Sequence, residues 1–277
     1  MKLLSHLPSE RLSFYLFLYL SMSLNPPIKN WKGKCIWIIG ASSGIGYALA
    51  ERFAVLGASL FLSARSLEPL EKFTIDHQNS TALPLDVTDV VALKDAYAQI
   101  INKHPIDLIV YCAGYYSPMR AQDFDLQVAL KHMNINYFGA LNLLNACLPN
   151  MTAQKAGHLS FVSSVAGFSG LPKSLAYGPT KAALTHLAEV LYLDLNKSNI
   201  GVSVIHPGFV KTPLTSQNDF EMPAIISAEQ AALEIVKGFE KGEFDIHFPK
   251  RFSLFLKLLR ILPYRLYFAI ISRSTGL

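Results

Sequence analysis

The sequence contains few charged residues and few cysteines. Only 16% of its 277 residues are charged, whereas 51% are hydrophobic. Intrinsically disordered chains have the opposite composition, so this chain is expected to fold around a core. Its cysteines, Cys35, Cys112 and Cys147, are too few and too scattered for a disulfide framework or a zinc site, and we identify no other metal site. The length fits one large α/β domain.

Acidic residues are missing from the end of the chain. Residues 246–277 contain six Lys and Arg and no acid, and residues 1–34 contain five basic residues and one acid. The segment between them has 14 basic and 19 acidic residues, a net charge of −5. A nucleic-acid binder carries its positive charge on the folded domain, so this distribution argues against nucleic acid as a partner. Basic tails are typical of proteins that contact an anionic surface, such as a membrane.

The N-terminal apolar run is too short to span a membrane, which takes about 20 residues. It covers 12–24, has 13 residues, and follows Lys2 and Arg11. Three interpretations stay open: an anchor lying in the membrane interface, a signal-peptide core, or an upstream stretch before a true start at Met22. We favour the first and the third over the signal peptide, because an exported protein would lack access to the cytosolic cofactor that its other motifs predict.

Short apolar runs alternate with helical patterns through the rest of the chain. Among them we expect strands at Cys35–Ile39, Ala82–Leu85 and Asp245–Phe248, a long helix ending near Met151, and a helix at Ala228–Lys241. This alternation predicts a doubly wound, Rossmann-like α/β fold, with a parallel sheet covered by helices on both faces. The chain then divides into an N-terminal extension (1–33), a single domain (34–249) and a basic amphipathic C-terminal tail (250–277).

A glycine-rich loop follows the first predicted strand. It reads Gly40-Ala41-Ser42-Ser43-Gly44-Ile45-Gly46 and leads directly into a helix. Glycine lets the backbone turn tightly and approach a phosphate, and the helix N-terminus offers free N–H groups to a pyrophosphate. The spacing differs from G-x-G-x-x-G, but its place after the first strand favours dinucleotide binding over an ordinary tight turn.

The end of the second predicted strand lacks the acid with which an NAD site binds the ribose 2′-hydroxyl. This region reads Ser63-Ala64-Arg65-Ser66. A guanidinium suits a 2′-phosphate, whereas a carboxylate repels it. The missing acid and the nearby Arg65 therefore predict NADP(H) in preference to NAD(H), and a solvated Arg65 without a ligand is the alternative.

Tyr177 and Lys181 lie four residues apart on a predicted helix and share one face. A free tyrosine, with a pKa of about 10, is a poor acid–base catalyst, and a neighbouring ammonium lowers that pKa. Such a pair is usually a surface pair, but Ser164 at a predicted strand end and the glycine loop favour a proton-transfer site. If Ser174 caps the helix, Pro179 lies just beyond the first turn and removes one backbone hydrogen bond.

In this order, the motifs resemble the short-chain dehydrogenase/reductase family, in its branch with a Tyr-x-x-x-Lys pair. The resemblance covers about residues 34–248, including Asn134–Gly139 and a Pro-Gly-x-Val-x-Thr segment at Pro207–Thr212. It implies that the catalytic residues are Asn136, Ser164, Tyr177 and Lys181. It implies that the cofactor-binding residues are Gly40, Ser42, Ser43, Gly44, Ile45, Gly46, Arg65, Asp86, Val87, Ala113, Gly114, Tyr177, Lys181, Pro207, Gly208, Val210 and Thr212.

The resemblance also implies roles for these side chains. Tyr177 would protonate a carbonyl oxygen in reduction or accept the hydroxyl proton in oxidation, and Ser164 would polarise that oxygen. Lys181 would lower the tyrosine pKa and bind the nicotinamide ribose, and Asn136 would hold a water between Lys181 and solvent. The hydride chemistry would belong to the cofactor.

Three positions depart from the family pattern. Ile39 replaces the threonine before the first glycine, and Tyr111 and Cys112 replace the two asparagines of the family's Asn-Asn-Ala-Gly turn. None of them is a reacting group, so we expect changes in the support of the site and not in its chemistry. His206, just before Pro207, is interpreted as a packed strand-end residue.

The segment after the nicotinamide contact, 213–226, is apolar and includes Phe220 and Met222. We call this segment the lid. It favours a small apolar, lipid-like ketone, aldehyde or alcohol as substrate, although packing of the lid on the body explains the same residues.

Tail residues 250–273 mix leucines, aromatics and bases, which predicts a helix lying in a membrane interface, with an intersubunit or core-covering helix as the alternative.

These features together predict an NADP(H)-dependent oxidoreductase. The resemblance implies a homodimer, and the basic tail places it at the cytoplasmic face of a membrane. The alternative from another class is a non-catalytic dinucleotide-binding regulator or scaffold on the same fold.

Overall fold

The computed structural model describes residues 23–276. Within that range, seven parallel strands form one sheet in the order β3-β2-β1-β4-β5-β6-β9, and β7 pairs with β8 in a separate two-stranded ribbon. The strands are β1 Cys35–Ile39, β2 Ser59–Ser63, β3 Ser80–Ala82, β4 Leu108–Tyr111, β5 His158–Val162, β6 Gly201–Pro207, β7 Val210–Lys211, β8 Ile226–Ser227 and β9 Asp245–Phe248. Nearly all of the N-terminal apolar run lies outside the described residues, so its interpretations stay predictions.

Helices cover both faces of the sheet, as the alternating pattern predicts. The helices are α1 Gly44–Val55, α2 Glu68–Asp76, α3 Val90–Ile101, α4 Leu126–His132, α5 Gly139–Gln154, α6 Tyr177–Leu195, α7 Ala228–Lys241, α8 Lys250–Arg260 and α9 Tyr264–Thr275. Strand β1 is buried on both sides: Trp37 and Ile39 pack into one apolar cluster, and Ile36 and Ile38 pack into the other. The doubly wound, Rossmann-like α/β fold is therefore confirmed.

The sheet reverses its strand order beside β1. This strand pairs with β2 on one side and with β4 on the other, so the connection that follows β1 and the connection that follows β4 lead in opposite directions along the sheet. Such a reversal opens a crevice at the carboxyl ends of the strands, where doubly wound proteins bind their ligands. The glycine-rich loop lies at this point.

Three local predictions were wrong in detail. The third strand is Ser80–Ala82 rather than Ala82–Leu85, because Pro84 has no N–H to donate to the sheet. The long helix before Met151 is divided into α4 and α5 by a π-helical turn at Met133–Phe138. Helix α6 begins at Tyr177, so Pro179 lies within the first turn, where its missing N–H needs no partner.

The C-terminal tail folds back onto the body. Leu256 and Leu259 of α8, and Tyr267 and Ile271 of α9, form an apolar cluster with Phe168 and a neighbouring valine. The Tyr267 hydroxyl also donates a hydrogen bond of 2.7 Å to the carbonyl of Gly170. One face of the tail thus covers the domain. Among residues 23–276, no helix combines the length and apolarity needed to cross a membrane.

Residues just before β1 also pack against the body. The Asn25 amide donates a 2.8 Å hydrogen bond to the Val202 carbonyl, and Trp31 is buried between Phe53 and Phe239. Part of the segment before residue 33 therefore contributes to the core. The domain boundary at that residue stays a prediction.

Candidate active site

The glycine-rich loop is shaped by close backbone contacts. Gly40 has φ +96°, a conformation that side chains strongly disfavour, and a Cβ on Gly46 would lie 2.1 Å from the Gly40 carbonyl oxygen. Helix α1 starts at Gly44, with no acid in its first turn and no side-chain cap from Ser43. The N–H groups and the positive end of this helix are therefore available to an anion.

A cleft of about 270 Å³ extends from this loop along the carboxyl ends of the strands. Most of the residues predicted from the sequence line it. These are Gly40, Ser42, Ser43, Gly44, Ile45, Arg65, Asp86, Val87, Ala113, Gly114, Ser164, Tyr177, Lys181, Pro207, Gly208, Val210 and Thr212. Gly46 and Asn136 do not line the cleft, because both are buried behind its wall.

Lys181 lies beneath Tyr177 in the wall of the cleft. Its Nζ donates a 2.8 Å hydrogen bond to the Val162 carbonyl and lies 5.5 Å from the centre of the tyrosine ring. Burial lowers the pKa of Lys181 to about 8, against a smaller opposing effect of Cys112. The ammonium is thus held in place by the end of β5, directly behind the phenol.

The pKa of Tyr177 differs from the expectation. Burial raises it above its ordinary value of 10.0, and hydrogen bonding with Ser164 only partly offsets that effect. The lysine does not reverse the shift, because burial disfavours both charged forms. Tyr177 is therefore held as a neutral phenol, the form that gives up a proton.

Asn136 lies in the π-helical turn and is fully buried. Its side chain bonds both backbone groups of Tyr115, at 2.7 Å to the N–H and 3.0 Å to the carbonyl, and donates to Thr180 Oγ1 at 2.9 Å. It thereby links the chain after Gly114 to helix α6, one residue before Lys181. π-Helical turns are frequent at functional sites.

Tyr111 replaces the first asparagine of the family turn and supplies a different contact. Its hydroxyl donates to the Ile135 carbonyl at 2.5 Å, in the same π-helical turn. Gly139 leaves room for it, since a Cβ there would lie 2.2 Å from the Tyr111 hydroxyl oxygen. This hydrogen bond therefore ties β4 to the Asn136 segment.

The segment after β6 closes the cleft from the other side. The Gly208 N–H donates a 2.7 Å hydrogen bond to the Phe248 carbonyl, and Thr212 is held by Thr215, whose Oγ1 accepts from the Thr212 N–H at 3.1 Å. A Cβ on Gly44 would lie 3.0 Å from the Thr212 methyl carbon. The glycine loop and this segment are thus in direct contact.

Arg65 and Asp86 lie together at the adenine-side end expected for the cleft. Arg65 is exposed and Asp86 is half-buried. Burial opposes ionisation of Asp86, but hydrogen bonds from Thr88 and the charge of Arg65 together lower its pKa. The hydrogen bonds from the Thr88 N–H and hydroxyl to Asp86 are 2.9 and 2.7 Å long. A carboxylate and a guanidinium are therefore both present here.

Sequence reasoning missed two residues beside Tyr177. The Tyr116 ring lies edge-on to it at 4.9 Å, and its hydroxyl donates to Asn218 in the lid at 2.7 Å. His132 is fully buried, with Nδ1 2.7 Å from the Val128 carbonyl and Nε2 accepting from the Ser117 N–H at 3.1 Å. No spacing in the sequence relates these side chains to the tyrosine.

The fold, the glycine loop and the Tyr177–Lys181 pair in the cleft wall together define a class of oxidoreductases. A family model described as short chain dehydrogenase matches residues 34–222. The chain is 34% identical over 241 residues to an uncharacterized oxidoreductase of Myxococcus xanthus, covering 85% of this chain and 95% of that protein. The chain belongs to the short-chain dehydrogenase/reductase family, as the motifs indicate.

Other relatives and a solved structure agree with this family. A fatty acyl-CoA reductase of Acinetobacter baylyi is 32% identical over 249 residues, covering 85% of this chain and 81% of that protein. A 3-ketodihydrosphingosine reductase of Dictyostelium discoideum is 32% identical over 248 residues, covering 78% and 74%. A short chain dehydrogenase from Burkholderia cenocepacia, solved in complex with NADP, has the same fold, with a TM-score of 0.78 at 21% identity, covering 87% and 98%.

Proposed function

We propose that this protein is an NADP(H)-dependent oxidoreductase that interconverts a ketone or aldehyde and an alcohol. The observation that carries the proposal is one cleft lined by the glycine loop, Ser164, Tyr177 and Lys181. The glycine loop fits a dinucleotide, because the uncapped N-terminus of α1 offers N–H groups to a pyrophosphate and has no acid in its first turn. When bound, NADPH supplies the hydride.

The side chains of the cleft supply the proton transfer. Ser164 hydrogen-bonds the substrate oxygen and orients it towards Tyr177. The neutral phenol donates its proton to that oxygen in the direction of reduction. Lys181 stabilises the phenolate left behind, and Asn136 holds the backbone beside Lys181 from behind the wall, where a water can relay protons.

A preference for NADP(H) rests on Arg65. This exposed guanidinium lies at the end of β2 and lines the cleft, and residues 63–66 contain no acid to repel a 2′-phosphate. The short chain dehydrogenase from Burkholderia cenocepacia was solved in complex with NADP. Asp86 at the same end stays a carboxylate, because hydrogen bonds from Thr88 and the charge of Arg65 outweigh burial and lower its pKa.

An aromatic group that joins the lid to the body supports an apolar substrate. The centre of the Phe209 ring lies 5.8 Å from the ring centres of both Phe220 and Phe252. The lid, the segment that follows β6 and the tail therefore meet in one aromatic group. Two relatives are named for reductions of fatty acyl-CoA and 3-ketodihydrosphingosine. A long-chain carbonyl compound is therefore the class of substrate we propose.

The experiment is NADPH and NADH oxidation over aldehydes and ketones graded by chain length, with wild type and Tyr177→Phe. Turnover that prefers NADPH, rises with chain length and is lost in Tyr177→Phe supports the proposal. Tight NADPH binding without turnover above the Tyr177→Phe background contradicts it and favours the non-catalytic regulator.

The outer face of the tail supports contact with a membrane. Large apolar side chains are exposed along α8 and α9, among them Phe255, Leu258, Ile261, Tyr264, Leu266 and Phe268. Arg251, Arg260, Arg265 and Arg273 are exposed beside them, and the tail has no acid. Apolar rings and bases on one surface fit an anionic bilayer, and this supports the proposal that the protein lies at the cytoplasmic face of a membrane.

Vesicle flotation tests this contact. We expect the full chain to float with phosphatidylserine-containing vesicles more than with phosphatidylcholine alone, and the double variant Leu258→Glu/Phe268→Glu to lose flotation. Leu233→Glu, an equally drastic change at an exposed leucine of α7, is the matched control. Unchanged flotation of the double variant contradicts membrane contact through this face. If the full chain does not float and the double variant has a lower molecular mass in solution than the full chain, the surface contacts a second copy.

A homodimer is the proposed assembly. Phe138, Val190 and Leu193, at the start of α5 and on α6, are exposed apolar residues on the helices that pair in the family. Light scattering is expected to give a dimer mass for wild type and a monomer mass for Leu193→Glu. A wild-type monomer overturns this part of the proposal.

A further inference from the structure

A chain of hydrogen bonds connects the catalytic helix α6 to the tail helix α8. Thr185 Oγ1 on α6 lies 2.9 Å from Nε2 of His206, and Nδ1 of His206 lies 2.8 Å from a carboxylate oxygen of Asp245. The other carboxylate oxygen of Asp245 pairs with Nζ of Lys257. His206 is 2% exposed and Thr185 is 9% exposed, so the centre of the chain is shielded from water.

The inner end of this chain reaches the active site. The carbonyl oxygen of Lys181 accepts a hydrogen bond from Ser163 Oγ at 2.7 Å and lies 3.0 Å from Thr185 Oγ1. Ser163 lines the cleft, and His206 directly precedes Pro207, which also lines it. The connected groups thus meet both the Tyr177–Lys181 turn and the strand end opposite it.

The donors and acceptors are consistent along the whole chain. A carboxylate only accepts, so Nδ1 of His206 carries the proton that bonds Asp245. In the neutral ring, Nε2 then accepts from the Thr185 hydroxyl, while Ser163 continues to donate to Lys181. The outer end is set by α8, because Lys257 supplies the charge that faces Asp245.

We propose that Thr185, His206 and Asp245 are positioning residues, through which docking of α8 by Lys257 fixes the Tyr177–Lys181 turn. This inference rests on the proposed function. The Asp245–Lys257 ion pair is partly exposed and contributes little net stability, but the hydrogen bonds on either side of Asp245 require one geometry. The apolar contacts of α8 are non-directional, whereas the hydrogen bonds of the chain require particular distances and angles. The tail therefore acts on the reaction without touching the reacting atoms.

The test compares Lys257→Met and Thr185→Val with two reference variants. Thr185→Ser keeps the hydroxyl, and Lys237→Met removes an exposed lysine that pairs with Glu234 at 2.9 Å on α7. We expect kcat of the first two to fall about tenfold with KM unchanged, since small misplacements of catalytic groups slow the chemical step. Thr185→Ser is expected to restore kcat, and Lys237→Met to match wild type.

A purely structural role predicts a lower melting temperature with wild-type kcat in the folded fraction, and that result overturns the proposal. Hydrogen exchange of residues 177–185 gives a readout that needs no turnover. Faster exchange there in Lys257→Met than in Lys237→Met supports the proposal, and equal exchange contradicts it. If wild type reduces no carbonyl compound, the proposed function fails, and the exchange comparison still decides whether the tail holds α6.

Discussion

Gly46→Ala is the most direct test of the glycine loop. The added Cβ would lie 2.1 Å from the Gly40 carbonyl oxygen and 2.9 Å from its carbonyl carbon, both of them backbone atoms. Real Cβ contacts stay above 3.0 Å, so the loop or helix α1 must move by about 1 Å. Overpacking of this kind lowers the free energy of unfolding by about 1–3 kcal/mol.

The same displacement moves the loop N–H groups away from the phosphates. A loss of about 1.4 kcal/mol or more in binding raises the Kd for NADPH at least tenfold. Fluorescence titration measures the Kd, and urea unfolding measures the stability. Gly170→Ala is the matched control, because no atom lies within 4 Å of its added Cβ and its φ is not positive. Wild-type affinity in Gly46→Ala refutes the assignment of this loop to the pyrophosphate.

Three further predictions concern other parts of the molecule. Burial lowers the pKa of His158 from 6.5 to about 4. On acidification the unfolded chain therefore takes up a proton before the folded chain does, so the free energy of unfolding falls as the pH drops from 6.5 to about 4. Urea unfolding of His158→Gln is expected to show a weaker fall, and a pH profile identical to that of wild type contradicts this. Arg65→Ala is expected to lower the NADPH-to-NADH ratio of kcat/KM about tenfold or more, and an unchanged ratio excludes Arg65 as the 2′-phosphate ligand. Tyr111→Phe removes the hydrogen bond to Ile135 and is expected to lower the free energy of unfolding by about 1 kcal/mol, whereas unchanged stability argues that the bond contributes nothing.

Elements with a strong local pattern are predictable from this sequence. Strands Cys35–Ile39 and Asp245–Phe248 and helix Ala228–Lys241 have the predicted bounds. The first is a continuous buried run, and the helix has a capping box at Ser227. Their boundaries depend on neighbours within a few residues, which a single sequence displays.

The parts that were missed depend on partners distant in the sequence. His206 is a packed strand residue, as interpreted, but its hydrogen bond to Asp245 joins residues 39 positions apart. The π-helical turn at Asn136 is stabilised partly by Tyr111, from another strand. The raised pKa of Tyr177 reflects burial from several elements, whereas the Tyr–Lys spacing alone predicts a lowered one. Periodicity places each residue on a face and does not show what that face meets.

The tail was predicted either to lie in a membrane interface or to form an intersubunit or core-covering helix. The structure has α8 and α9 burying Leu256, Leu259 and Tyr267 on the body while Leu258 and Phe268 stay exposed. The core-covering face is observed, and the membrane-facing face is proposed. The tail has apolar side chains on two faces, one buried and one exposed, and this explains why its composition supported both interpretations.

The central claim is that this cleft moves a hydride to a carbonyl carbon and a proton from Tyr177 to its oxygen. The measurement is mass spectrometry of the alcohol formed from a long-chain ketone and NADPH dideuterated at the nicotinamide C4. The account predicts one deuterium in each alcohol formed by wild type, with formation abolished in Tyr177→Phe although NADPH still binds. Alcohol without deuterium, or labelled alcohol formed equally fast by Tyr177→Phe, contradicts it.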